Sequence, residues 1–502
     1  MNIDVAFGTL FNLLTDPYLI SLMLIAVPLG AFFGAMPGLG GKLGVVLLIP
    51  FVFGMEPIAG AVLLLSMHAV VHTGGSIPSI LFGIPGDGTS TAVVLDGYQM
   101  TRNGEGGRAL GASFGASGIG GVLGAVFLGL LLPVLKPIVL AFSPAEFFLL
   151  AILGITFIAT LSGKNVVKGL VLGLLGLMVA FVGLDPSTGG PRYTFGHLFL
   201  WDGIDIITAV LAMYAIPEMI ALGSGQGVVD YGDGANKRYK ISEVWDGILD
   251  VFRHWKLSLR TSIIGGVIGL IPGLGGDAAS WICYGHAVQS SKTPERFGKG
   301  AVEGVIAPET ANNSKEGGAL LPTLFFAVPG SSGMALLLGA FLMLGIQPGP
   351  TIVTENIDLV WTLIWALAVS NVLCVVILVA LTPWLGSLAN VRPPLLIPFV
   401  LVFALLGSYL SSAAWENLIL IFFLGCLGYM CRRHSWPRPP FVIGVVLGPV
   451  AEDSLHKALA LWGPSFFLRP LSLILIAMII GSIVFYIWRT GRENAAEGIG
   501  HG

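Results

Sequence analysis

The sequence has few charged residues, and this shortage excludes most classes of soluble protein. Only 11% of its 502 residues are charged, whereas 55% are hydrophobic. Soluble domains carry about 25% charged residues. Aqueous domains cannot bury so much apolar surface, but a lipid bilayer can surround it. The composition therefore predicts an integral membrane protein, and the net charge of -3 argues against nucleic-acid binding.

Several motifs are also missing. The four cysteines form no CxxC pair and no metal-ligand spacing, so they indicate packing rather than disulfides or a metal site. The sequence has no GxxxxGK[ST] loop, which argues against a nucleotide-driven motor. Its first residues lack the basic region of a cleaved signal peptide. We predict no enzymatic activity, no catalytic residues and no bound metal.

Long charge-free segments run along the whole chain, among them 109–135, 359–391 and 470–488. A helix needs roughly 20 residues to cross a bilayer core. Backbone N–H and C=O groups in lipid must hydrogen-bond to one another, which leaves helices and β-barrels. The segments lack the alternation of apolar and polar residues that is typical of β-barrel strands. We predict an all-α polytopic membrane protein with about 10–12 transmembrane helices, some of them broken or re-entrant.

An internal repeat is the most informative feature. Residues 34–41 (GAMPGLGG) return at 269–276 as GLIPGLGG, and residues 77–86 (IPSILFGIPG) return at 321–330 as LPTLFFAVPG. Both landmarks occur in the same order. This predicts a first membrane repeat at 1–222 and a second at 257–502, which also includes a C-terminal helix.

Between the repeats, residues 223–256 form a polar connector rich in Lys and Arg, whereas the residues before the first motif contain neither. By the positive-inside rule, the connector is expected in the cytoplasm and the N-terminus outside. This predicts two inverted-topology repeats, as in many secondary transporters. Residues 241–255 fit an amphipathic helix, either on the membrane surface or packed on the protein.

Proline and glycine interrupt the apolar segments at four places that the repeat pairs. A helix that restarts after a break presents unpaired N–H groups, which favour an anion, whereas unwound carbonyl groups favour sodium. The structural alternative is a set of kinked helices that only pack well. We predict a shared substrate- or ion-binding site from these breaks: Pro37, Gly38, Gly40, Gly41, Gly74, Gly75, Ser76, Pro85, Gly86, Asp87, Thr89, Pro272, Gly273, Gly275, Gly276, Asp277, Pro329, Gly330, Ser331 and Ser332.

The segment 307–318 is unusually polar for a membrane domain. Ionisable residues inside a membrane are costly and usually functional. An adjacent Lys–Glu pair at 315–316 also fits a self-satisfied pair at an interface. We add five residues of this segment to the predicted site: Glu309, Asn312, Asn313, Ser314 and Lys315.

Other site types fit parts of the sequence. His68 and His72 lie four residues apart and share a helix face, but no third metal ligand is evident, which favours packing or proton relay. Gly276-Asp277 resembles the Gly-Asp motif of intramembrane aspartyl proteases, which need two aspartates. No partner Tyr-Asp motif is found, and Lys42 stands at the matching place in the first repeat. A channel for small anions is also compatible with duplicated broken helices.

Taken together, the motifs resemble the large membrane subunit of the tripartite tricarboxylate transporters. The resemblance covers nearly the whole chain and is carried by residues 37–41, 74–86, 91–110, 185–196, 272–277, 307–320, 329–333 and 448–452. It implies uptake of small carboxylates such as citrate across the bacterial inner membrane by alternating access. The driving force would be a sodium or proton gradient. It also implies two partners, a small membrane subunit and a periplasmic solute-binding protein.

The sequence departs from the family pattern at two places. Asp87-Gly88 follows Pro85-Gly86 where small uncharged residues are expected, and Val71-His72-Thr73 precedes Gly74-Gly75 where an aromatic residue is expected. Both places lie near the predicted site, so they bear on the identity of the substrate.

Overall fold

The computed structural model of the chain describes residues 3–36, 41–161, 166–185, 188–224, 238–272, 275–386 and 397–499. This part is almost entirely helical, which confirms the predicted all-α class. The helices are α1 (Ile3–Thr15), α2 (Pro17–Ala35), α3 (Gly41–Leu48), α4 (Pro57–Phe82), α5 (Thr91–Arg102), α6 (Gly106–Ala141), α7 (Pro144–Leu161), α8 (Val166–Ala180), α9 (Ile206–Gly223), α10 (Ile241–Arg253), α11 (Trp255–Gly269), α12 (Gly275–Ser290), α13 (Glu303–Phe326), α14 (Ser332–Met343), α15 (Pro350–Thr354), α16 (Ile357–Leu385), α17 (Ile397–Leu410), α18 (Glu416–Arg433), α19 (Pro439–Trp462) and α20 (Pro470–Ile499).

Short elements occupy some of the connections. Two strands, β1 (Gly183–Leu184) and β2 (Pro191–Arg192), pair antiparallel between α8 and α9. Short 3-10 turns lie at Ile49–Val52, Gly88–Ser90, Leu198–Asp202, Pro294–Arg296 and Gly463–Leu468.

Four described helices are long and apolar enough to cross a bilayer alone: α2, α4, α6 and α16. A fifth span is formed if Pro439–Leu468 and Pro470–Val484, which are bent by 68° at their junction, act together. Several other apolar helices have only 10–17 residues. The predicted total of about 10–12 crossings therefore stays a prediction, since it requires short helices to span in broken combinations.

The two halves share a mode of helix packing. α2 packs along α4, and α11 packs along α13. Gly34 approaches the backbone of Val71 so closely that a side chain would not fit, and Gly269 approaches Lys315 in the same way. Small residues allow such contacts between membrane helices. The repeated glycines thus have a packing role, while the opposite orientation of the two halves stays a prediction.

The second repeated motif has the same backbone course in both halves. α4 ends at Gly83 and α13 at Ala327, both in the left-handed region, with φ of 69° and 54°. An extended residue then caps the next helical turn: Asp87 accepts a hydrogen bond from the N–H of Ser90, and Ser331 accepts one from Met334. The repeated sequence therefore encodes a repeated helix break.

The connector helix, α10, begins at the predicted residue and packs on α6. The backbone of Val244 lies against Gly111, and Arg108 of α6 donates to Asp250 at 2.6 Å. A different face carries exposed apolar side chains, including Trp245 and Phe252. α10 thus packs on the protein and also presents an apolar surface suited to a membrane interface. Residues 225–237 of the predicted connector lie outside the described part.

Candidate functional site

Buried polar side chains are concentrated where α4 meets α13. His72 Nε2 lies 2.9 Å from Glu316 Oε1, and His68 Nε2 lies 3.2 Å from the other oxygen of Glu316. When residues 77–86 are aligned with 321–330, His72 and Glu316 fall at matching positions of the two halves. The contact between them therefore joins the two repeats at equivalent points.

The break after α4 supplies a second carboxylate to this cluster. Asp87 Oδ2 lies 2.7 Å from His72 Nδ1, and Thr89 donates its hydroxyl to Asp87 Oδ1 at 2.7 Å. The 3-10 turn that begins after Asp87 holds Thr89 in place. His72 and Asp87, one from each of the two stretches that depart from the family pattern, are thus in direct contact.

Glu309 and Glu316, two turns apart on α13, have different surroundings. Glu309 is fully buried and accepts hydrogen bonds from the hydroxyls of Ser76 and Ser117, the latter at 2.7 Å. Glu316 is also fully buried, but it contacts two histidines and the ammonium group of Lys315, which lies 2.5 Å away. The Lys315–Glu316 pair is therefore part of a larger network and not an isolated interface pair.

The asparagines of α13 connect this network to other helices. Asn312 donates to Thr89 at 2.9 Å, and Asn313 donates to Thr73 at 3.1 Å and to Asn371 of α16 at 2.7 Å. Among the described residues, the side-chain oxygens of both asparagines accept no hydrogen bond. Amide oxygens of this kind are suitable ligands for a hard cation.

In the structure a third ionisable group, Glu316, lies beside the histidine pair. The sequence alone did not indicate this neighbour. Ligand atoms of His68, His72 and Glu316 all lie within 4.8 Å of one another. These atoms bond directly to one another, and the Lys315 ammonium already contacts the same carboxylate. In this structure the cluster therefore forms a hydrogen-bonded ionic network.

A cavity of about 320 Å³ lies beside this network. It is lined by the starts of α3 and α12, by the break at 86–89, and by α4, α9 and α19. Its cationic residues are Lys42 and Arg438. Arg438 binds Glu218 in the cavity wall, and Arg432, which does not line the cavity, binds the same carboxylate.

The predicted site residues fall into distinct groups. Five line the cavity: Gly41, Gly86, Asp87, Thr89 and Asp277. Five others belong to the buried polar layer around α13: Ser76, Glu309, Asn312, Asn313 and Lys315. These ten residues come from different breaks and from the polar segment, and the fold brings them together.

The remaining predicted residues allow close backbone packing, cap a helix, do not line the cavity, or lie outside the described residues. Gly74 packs against α2, Gly75 against Asp87, Gly276 against Asn312, and Gly330 against Ala319. Gly275 starts α12 with a φ of 67°. Ser331 caps α14, and Ser314 donates to the carbonyl of Ser262 at 3.0 Å. Four others are not among the residues that line this cavity: Pro85, Pro272, Pro329 and Ser332. Pro37, Gly38, Gly40 and Gly273 lie outside the described residues.

Sequence reasoning missed several groups that line the cavity or complete the network. Lys42 stands at the place of Asp277 in the first repeat, and this relation is a sequence signal for its position in the cavity wall. Tyr214, Glu218 and Arg438 lie outside the repeated motifs, so the motif pattern did not point to them. The same holds for the network partners Ser117 and Asn371.

The arrangement does not form the carboxyl pair of an aspartyl protease. Asp277 and Asp87 both line the cavity, but Asp87 is engaged by His72, Thr89 and the backbone of Ser90. Within the described part of the chain, no hydrogen bond joins the two aspartates. A proteolytic dyad needs two carboxyl groups that share one proton.

Comparison with known proteins identifies related sequences. A family model described as "Tripartite tricarboxylate transporter TctA family" matches residues 20–443. The chain is 30% identical over 473 residues to an Agrobacterium vitis protein described as "Uncharacterized 52.8 kDa protein in TAR-I ttuC' 3'region", covering 94% of this chain and 93% of the relative. It is 34% identical to a second A. vitis protein, "Uncharacterized protein in TAR-II ttuC' 3'region", over 39% of this chain and 81% of the relative. No solved structure matches.

Proposed function

The chain belongs to the tripartite tricarboxylate transporter TctA family, and we propose that it is the translocating subunit of an uptake system for small carboxylates. In this proposal an ion gradient drives uptake across the bacterial inner membrane by alternating access. A small membrane subunit and a periplasmic binding protein complete the system. The family is one of transporters, and the chain is a multi-pass membrane protein.

The observation that carries this proposal is the cavity beside the broken helices. Helix α3 begins at Gly41 in the cavity wall, so its N-terminal N–H groups and positive dipole end favour an anion there. The Lys42 side chain follows directly and is exposed. Arg438 adds a planar donor that suits a carboxylate. The volume of about 320 Å³ is at the small end of the range for ligand pockets, which fits a small organic acid.

The test is uptake of labelled di- and tricarboxylates into proteoliposomes that contain the chain, its small subunit and candidate binding proteins. Sodium and proton gradients are imposed separately. We expect saturable uptake that requires both a binding protein and a gradient. Rapid flux without any gradient would indicate a channel, and no flux of any carboxylate would contradict the proposed substrate class.

The contribution of the cavity is tested with Lys42→Gln. A hydrogen bond to a charged group is worth about 1.5–3 kcal/mol, so its loss should raise the half-saturation concentration roughly 10- to 150-fold. The matched control is Lys292→Gln, which removes an exposed lysine that does not line the cavity. Equal half-saturation values for the two variants would show that the substrate binds elsewhere.

A further inference from the structure

His72 is held between two carboxylates through both of its ring nitrogens. Nδ1 lies 2.7 Å from Asp87 Oδ2, and Nε2 lies 2.9 Å from Glu316 Oε1. The Thr89 hydroxyl also approaches Nδ1 at 3.2 Å, and it donates to the other oxygen of Asp87. The His72 side chain is 6% exposed and that of Glu316 is fully buried, so water does little to screen these contacts.

This geometry requires one proton more than a neutral ring between two ionised carboxylates can supply. A neutral imidazole has one N–H donor and one nitrogen lone pair. The lone pair of one ring nitrogen would therefore point at a lone pair of a carboxylate oxygen at hydrogen-bond distance. Such a contact is repulsive. Both contacts are attractive only if the ring is doubly protonated or if one of the two carboxyl groups carries the proton.

The charged groups nearest to His72 are bonded to other partners, so they do not take the place of the additional proton. On α13, Lys315 is paired with Glu316, and Glu309 is bonded to two serines. On α4, His68 shares Glu316 with His72. The helices α6 and α16 contribute the uncharged Ser117 and Asn371 to this layer.

Across the cavity, other helices present both signs of charge. Lys42 of α3 and Asp277 of α12 line the wall, and Glu218 of α9 is bonded to Arg438 beside Tyr214. Among the described residues, none of these groups hydrogen bonds to His72 or Asp87. The Asp87 carboxylate is hydrogen-bonded to His72 itself, while Lys42 acts on it without a hydrogen bond, and the direct contact again assigns a proton to this pair.

We propose that the coupling ion of this transporter is a proton, and that it binds at His72 between Asp87 and Glu316. This inference rests on the proposed function and names its coupling ion and ion site. The proton reaches the ring from water in the cavity, which His72 and Asp87 both line. It is returned to water on the other side of the membrane, and no other bond is made or broken.

Loss of the proton has a mechanical consequence in this arrangement. One of the two contacts of His72 then becomes repulsive. The contact that is lost is either with Asp87, in the helix break after α4, or with Glu316 on α13. These are the segments that carry the repeated motif and the buried polar layer. Protonation therefore keeps both contacts, and the one with Glu316 joins the two repeats at matching positions.

The decisive variant is His72→Gln, which keeps a hydrogen-bonding side chain but cannot bind the proton. His286→Gln on α12 is the control, because His286 neither lines the cavity nor contacts the network. In proteoliposomes with the partner subunits, an imposed proton gradient should drive accumulation by the wild type and by His286→Gln. We expect accumulation by His72→Gln to fall at least tenfold, while accumulation by His286→Gln stays at the wild-type level.

Two outcomes separate this inference from the proposed function. If a sodium gradient alone drives accumulation equally in the wild type and His72→Gln, the proton site is refuted and carboxylate uptake stands. The amide oxygens of Asn312 and Asn313 would then be the next sites to test. If no carboxylate is transported under either gradient, the proposed function itself fails.

A measurement without transport tests the proton site directly. A proton that the folded protein binds more tightly than the unfolded chain stabilises the fold at low pH, and this stabilisation is lost as the pH rises through the range in which the folded protein releases the proton. The melting temperature of the purified wild type should therefore exceed that of His72→Gln at acidic pH, and the difference should shrink at alkaline pH. A difference that is constant across pH would refute the bound proton.

Discussion

At the scale of single residues, the glycines of the motifs differ in what they do. Gly276 lies where a Cβ atom would be 2.6 Å from both Asn312 Oδ1 and Thr89 Cγ2. Gly285, on the same helix, has nothing within 4 Å of that position. Sequence alone treats both as small residues in a membrane helix, but only Gly276 lets α12 approach the polar layer.

We predict opposite effects for alanine at these two positions. Gly276→Ala should destabilise the protein by about 1–3 kcal/mol, because the added carbon displaces Asn312 or Thr89. It should also weaken substrate binding. Gly285→Ala should be neutral or stabilising by up to about 1 kcal/mol, since alanine favours the helix. Thermal unfolding in detergent, with substrate uptake alongside, measures both. Equal melting temperatures for the two variants would show that the residues around Gly276 can move to accommodate the added carbon.

At the scale of elements, one buried carboxylate adds an ion pair to the packing of α10 on α6. Asp250 is 2% exposed and accepts from Arg108 of α6 at 2.6 Å and from Arg253 at 2.8 Å. Asp246, on the same helix, is exposed. The amphipathic pattern of the sequence predicted this helix, but not which of its acidic residues faces the protein.

Asp250→Asn should lower stability by about 1–3 kcal/mol, because the hydrogen bonds of a buried charged group are lost. Asp246→Asn is the matched control and should change stability by less than about 0.5 kcal/mol. Both are measured as shifts in thermal unfolding. If the two shifts are the same, the Arg108–Asp250 pair does not anchor α10.

At the scale of the whole molecule, basic residues gather where the connector leaves α9. Arg432 and Arg438 bind Glu218, which lies near the connector end of that helix. Arg108 and Arg253 bind Asp250 on α10, the helix within the connector. The hairpin of β1 and β2 precedes the other end of α9. By the positive-inside rule, the connector end is expected in the cytoplasm.

Single cysteines test this orientation. Ser242→Cys near the connector and Thr188→Cys near the hairpin are both exposed, and the exposed native Cys426 is first replaced by alanine. In intact spheroplasts, a membrane-impermeant maleimide should label residue 188 and not residue 242. Permeabilised cells provide the control, in which both should react. Labelling of residue 242 alone in intact spheroplasts would show that the topology is the opposite of the predicted one.

The sequence by itself determined the membrane class, the helical fold, the repeated breaks and the family. These properties follow from composition, from the length of apolar segments and from motif order, all of which are local along the chain. It also selected Asp87, Thr89, Asn312 and Glu309, since polar groups beside helix breaks are costly in a membrane.

Only the tertiary structure decided which of these groups share a site. The contact of His72 with Asp87 and Glu316, and the entry of Glu218 and Arg438 into the cavity, join residues far apart in the chain. Such contacts depend on how helices pack. That packing is set by the close approach of glycines such as Gly34 and Gly269 to neighbouring backbones, and no local pattern of the chain encodes which helix will be the neighbour.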